Sequence, residues 1–241
     1  MDEDQKLNPN VSDVISSLVK AGANLVPYAG PFIAEIVGNL IPNQRLDRVT
    51  KFLEILNSKI ESMKDEIDIL RLKTDNNLLI LFEKSLICST QTNSKEKYYY
   101  YSDFVVSCFL PNATEQMQKE RILSILSELN DIEVLHLIYY SFNPTIGMQN
   151  SFISKYKDVL FPHQRTMNEP MEHGYNDYFK ELYLDNLERL RLIHRDIEVD
   201  RNTKMPIIDI FTKQFKKGYA SITPLGMIIA QFIGAEKYKD A

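Results

Sequence analysis

Three ionisable residues sit inside the most apolar stretch of the chain, and that setting limits what they can do. Asp13, Lys20 and Glu35 are the only charges in VSDVISSLVKAGANLVPYAGPFIAEIVGNLI, residues 11–41. An ionisable side chain within an apolar span is costly to hold, so it pairs or lines a polar path. Lys20 and Glu35, on facing arms of a helical hairpin, would pair in a closed state. Brought together from several copies, Glu35 would form an acidic ring of the kind that selects cations. Ala21, Gly22, Ala29, Gly30 and Ala34 would let such helices approach closely. Pro27 and Pro31 break the segment, which is too short for the about 20 unbroken apolar residues of an ordinary span. Two uses stay open: a segment that enters membranes conditionally, or the buried core of an oligomer.

A second set of residues suits anion binding. Lys213, Lys216 and Lys217 form the main basic cluster near the C-terminus, where they would contact phosphates of a short nucleic acid. A solvated hairpin is the plainer alternative. The other reactive side chains form no catalytic arrangement. His136, His163, His173 and His194 are scattered. His163, Glu169, Glu172, His173 and Asp177 gather around a loop, but without a spacing that enforces a ligand shell. Cys88 and Cys108 are far apart, which argues for free core thiols in a reducing compartment. Phosphate-loop, nucleophile-elbow and zinc-peptidase motifs are all missing. The expectation is a protein that is not an enzyme and uses no cofactor or metal.

Composition sets the frame for these residues. With 241 residues, 44% hydrophobic, and 28 basic against 33 acidic side chains, the chain can bury one or two cores. Its formal charge of −5 gives no global sign of a nucleic-acid binder. The opening MDEDQKLNPN lacks the basic-then-apolar order of a secretory signal. Synthesis in the cytoplasm, with action at the inner membrane, is the expected localisation.

Periodicity predicts the elements that must position these residues. Leu46, Val49, Leu53, Leu56, Ile60, Met63, Ile67 and Leu70 alternate spacings of three and four, a heptad seam. The seam predicts a long helix over 44–90, serving either self-association or an intrachain bundle. A helical domain over 91–162 follows. Within it, the run Tyr98–Tyr101 points all round its helix, part core and part interface. Residues 163–241 show helix, short strand, turn, short strand and a final apolar helix, a winged-helix-like order. Thr223 would cap that last helix, with Pro224 at its favoured first position. Asp177, Glu181, Asp185 and Glu188 on the preceding helix would repel DNA phosphates. The fold expected is mainly α: an apolar N-terminal hairpin over 1–43, the heptad helix, the helical middle and the winged-helix-like end.

The string VPYAGPFIAEIVGNLIPNQRLDRVTKFLEIL, with the helical middle and the ITPLG end, resembles membrane-acting effectors of bacterial anti-phage defence, such as the ion-channel subunit of the Hailong system. The resemblance implies a homo-oligomeric channel held closed by a DNA oligomer made by a partner nucleotidyltransferase. Its opening would depolarise the cell and cause abortive infection. Two other functions fit the same residues: a soluble oligomeric scaffold or sensor, and a winged-helix nucleic-acid-binding regulator.

Overall fold

The computed structural model describes residues 46–63, 65–68, 70–110, 115–142, 150–162, 175–209 and 213–239. Asp13, Lys20 and Glu35 lie outside the described residues, as does the loop that holds His163, Glu169, Glu172 and His173. Among the described residues the protein is mainly helical with one two-stranded sheet. Among the described residues no helix is long and apolar enough to cross a membrane. The chain divides into two compact units between Ser127 and Glu128.

The first unit is built on α1 (Leu46–Ser62), α2 (Arg71–Thr74), α3 (Asn76–Thr90), α4 (Lys95–Phe109) and α5 (Gln116–Glu128), which ends at the division. α1 packs on α4 and α3. Val49, Leu53, Leu56 and Ile60 of the heptad seam are buried there with Phe52, as is Ile67 in the following turn. These side chains pack against helices of their own unit. Of the later seam residues, Met63 is half-buried and Leu70 stands exposed.

The long helix expected over 44–90 is also divided. Helical hydrogen bonding stops near Ser62, and the described residues from Met63 to Leu70 lie in turns and irregular chain. Short polar side chains supply the break. Asp68 Oδ1 accepts from the Leu70 amide at 3.0 Å. The Asp75 carboxylate caps α3 by accepting from the Asn77 and Leu78 amides, both at 3.1 Å, a role that favours Asp at a helix start. The tyrosine run behaves as its geometry predicts: Tyr98, Tyr100 and Tyr101 are buried and Tyr99 is exposed. Cys108 is a buried free thiol whose pKa burial pushes up to about 12, so it stays protonated and unreactive.

The second unit contains α6 (Asp131–Tyr140), α7 (Ser151–Lys155), α8 (Lys157–Leu160), α9 (Tyr175–Arg189), β1 (Ile193–Ile197), β2 (Lys217–Ile222) and α10 (Pro224–Phe232). α6 is its central helix, touched by α8, α9, β2 and α10. A capping box starts it: Asn130 Oδ1 accepts from the Glu133 amide at 2.9 Å, and Glu133 accepts from the Asn130 amide at 2.8 Å. β1 and β2 pair antiparallel, Ile193 opposite Ile222 and His194 opposite Ser221, with an irregularity between Arg195 and Ile197.

The predicted cap of the last helix is present. Thr223 Oγ1 accepts from the Gly226 amide at 3.0 Å, and Pro224 opens the helix. Gly226 lies so close to the α9–β1 turn that a Cβ there would be 2.1 Å from the Leu192 carbonyl oxygen. Only glycine permits that approach. At the other end, Asn150 caps α7 and donates to the carbonyls of Tyr238 (3.0 Å) and Lys239 (3.3 Å). This ties the C-terminal 3-10 turn, Ala235–Tyr238, to the unit.

Candidate functional site

The second unit carries two surfaces with chemical potential, an aromatic groove and a hairpin lobe, and β2 contributes to the first and leads into the second. The groove has a volume of about 690 Å³, within the range of small-molecule sites. The end of α6 supplies Tyr139, Tyr140 and Ser141, β2 supplies Tyr219 and Ser221, and the C-terminal turn supplies Lys239. Tyr219 is fully exposed. Lys239 pairs with Glu236 at 2.6 Å, so an anion in the groove would share its ammonium. Burial raises the Tyr139 hydroxyl pKa, and burial followed by the neighbouring Tyr139 pushes that of Tyr140 up to about 12. Both phenols are therefore donors at neutral pH. Three tyrosines with hydroxyls and one cation suit a planar ring carrying an anionic group.

Under the groove, His136 is buried, and neither ring nitrogen meets a hydrogen-bond partner among the described residues. Its ring stacks on Tyr140 with centroids 6.3 Å apart. Burial, then the positive charge of Lys180, lowers its pKa to about 4. His136 is a neutral imidazole at neutral pH.

The acidic face of α9 has a structural use that its sequence does not announce. Glu181 (2.7 Å), Asp185 and Glu188 (3.3 Å) all pair with Arg195, whose side chain is 1% exposed. Glu188 also pairs with Lys217 and accepts from the Arg195 amide. Three of the carboxylates expected to repel phosphate, Glu181, Asp185 and Glu188, thus clamp β1 onto α9.

The lysine cluster is divided by the same pairing. Lys217 is committed to Glu188, and Lys216 pairs with Glu198 at 2.9 Å. Lys213 alone of the three is exposed without an ion pair among the described residues. None of the three lines the groove.

Lys213 belongs to the lobe, where a nine-residue repeat gives the hairpin its form. Glu198 N donates to Lys216 O (2.9 Å), Lys216 N to Ile207 O (2.8 Å), and Ile207 N to Glu198 O (2.9 Å). Three positions nine residues apart thus close a ring of backbone hydrogen bonds. Two small hairpins leave this junction. Asp200 N donates to Met205 O and Lys204 N to Asp200 O, each at 2.9 Å. The second hairpin repeats the pattern: Asp209 N to Gln214 O at 2.8 Å and Lys213 N to Asp209 O at 2.9 Å. Lys204 and Lys213 both adopt left-handed backbone, with φ of 58° and 59°. The sequence signal is Asp-x-x-Thr-Lys, at Asp200–Lys204 and again at Asp209–Lys213. It lies between the two strands.

Among the described residues no group of three or more His, Cys, Asp or Glu could hold a metal ion. No family model, curated protein or solved structure matches the chain.

Proposed function

We propose that the chain is a homo-oligomeric, membrane-acting effector of bacterial anti-phage defence, ion-channel-like, and gated by a nucleotide or short DNA oligomer. Val11–Ile41 is the membrane segment, with Glu35 and Lys20 its charged partners. The second unit is the sensor. The observation that carries this reading is the tyrosine groove, which offers ring faces for bases and Lys239 for a phosphate. The heptad seam is occupied within its own unit, so oligomerisation falls to the N-terminal segment itself.

The test is binding of labelled mononucleotides and short single-stranded DNA to the full chain. Base stacking on an aromatic side chain contributes about 1–3 kcal/mol. Tyr139→Ala with Tyr219→Ala should therefore weaken binding by roughly tenfold or more. Equal binding by wild type and the double variant would move the ligand off the groove.

A second reading, a winged-helix regulator, is favoured by the order of α6, α7 with α8, α9, the hairpin and α10. It requires duplex DNA to bind more tightly than single strands and to involve α9. The exposed Glu181 and Asp185 on that helix weigh against it.

A further inference from the structure

We propose that the hairpin lobe, described over residues 198–209 and 213–216, docks on an anionic lipid surface. The lobe exposes Val199, Met205, Ile208 and Phe215, each between 50% and 67% accessible. Val199 is paired with Pro206 and Ile208 with Phe215 across the two hairpins, and cross-strand partners share a face. Large apolar side chains exposed together beside the junction of the two hairpins mark an interaction surface. The ring of backbone bonds at residues 198, 207 and 216 explains how so little core can present them.

Charge decides the occupant. Arg201, Lys204 and Lys213 are exposed and form no ion pair among the described residues. The lobe's acids are engaged locally: Glu198 pairs with Lys216, and Asp200 accepts from the Asn202 and Thr203 amides at 2.9 and 2.7 Å. Asp209 has a partner of its own. A second copy would bring like-charged tips together. A nucleic acid would leave the aliphatic Val199, Met205 and Ile208 in contact with phosphate and water. A bilayer of anionic lipid satisfies both sets at once, with apolar side chains at the acyl boundary and basic ones among the headgroups. The docking does not require Val11–Ile41 to insert, so either idea can fail without the other.

The chain has no tryptophan, which makes a site-resolved test possible in the full-length protein. Met205→Trp places a single tryptophan on the lobe, and Met117→Trp places one on an exposed site of the first unit. With phosphatidylglycerol vesicles, the Met205→Trp emission should shift to the blue and be quenched by brominated lipid. Phosphatidylcholine vesicles should leave it unchanged, and the Met117→Trp emission should not move with either. Each basic residue at an anionic surface contributes about fivefold. Changing Arg201, Lys204 and Lys213 together to Ala in the Met205→Trp protein should thus weaken vesicle binding, read from the lobe emission, by roughly a hundredfold. An unshifted lobe tryptophan on vesicle-bound protein would overturn the proposal and assign binding to another segment. A shift produced by protein concentration alone would overturn it in favour of a second copy. A shift with duplex or single-stranded DNA and none with lipid would overturn it in favour of nucleic acid.

Discussion

Arg195→Ala is expected to destabilise the second unit by about 3 kcal/mol, at the lower end of the range for breaking a buried ion pair. The guanidinium is almost wholly buried, and Glu181, Asp185 and Glu188 converge on it. Burial opposes its charge, but the attraction of Glu181 and then Asp185 outweighs that and raises its pKa. Without it, three carboxylates face one another between α9 and β1. Two of them are half exposed, so water relieves part of the repulsion, which keeps the loss from the upper limit. Arg195→Lys should recover only part of it, because an ammonium cannot reproduce the planar fork.

The pH dependence of that loss has a definite sign. Burial alone would raise the Glu188 pKa, but the hydrogen bond from Lys217 and the Arg195 amide and charge lower it. A carboxylate lowered on folding contributes stability above its ordinary value near 4.5, and that contribution disappears as pH falls through the folded value. Urea titrations followed by circular dichroism should show the difference between wild type and Arg195→Ala shrinking in acid. A constant difference from about pH 7 to about pH 3 would show that the carboxylates are not its source.

His136→Leu is expected to stabilise the protein by roughly 1–3 kcal/mol at neutral pH, the penalty for a buried polar group without a partner. It should also flatten the acid response. The wild-type histidine binds a proton near pH 6.5 when unfolded and only near 4 when folded. Between those values the unfolded state holds more protons, so stability falls as pH falls. A tenfold difference in proton affinity corresponds to about 1.36 kcal/mol, which makes the total loss roughly 3 kcal/mol. Unfolding free energies from about pH 7.5 to about pH 4 should therefore diverge, with the Leu variant the less sensitive. Equal slopes would mean that His136 is solvated or hydrogen-bonded in solution.

What the sequence made legible followed physical locality. The Thr223–Pro224 cap, the short strands around Ile193 and Ile222, and the split of Tyr98–Tyr101 between core and surface all rest on neighbours within a few residues. The seam from Val49 to Ile67 was legible as an apolar face, but periodicity does not say whose surface covers it. Here α3 and α4 of the same unit do. The end of α1 near Ser62 was hidden because the spacing of three and four continues past it. Asp68 and Asp75, which form the turns, stand outside that pattern. The groove brings together residues far apart in the chain, and the clamp joins one face of α9 to the following strand across a turn whose geometry no periodic pattern gives. The lobe is different: its Asp-x-x-Thr-Lys repeat was readable, but two copies nine residues apart resemble ordinary polar loop sequence.

The central claim is that a nucleotide-type signal at the second unit controls conduction through Val11–Ile41. The most direct measurement is the conductance of planar bilayers containing the purified full chain, with short single-stranded DNA added and then removed. Cation-preferring conductance that changes reversibly with the oligonucleotide, and loses its cation preference in Glu35→Lys, is the predicted result. Bilayers that stay silent whether the oligonucleotide is present or absent would contradict it.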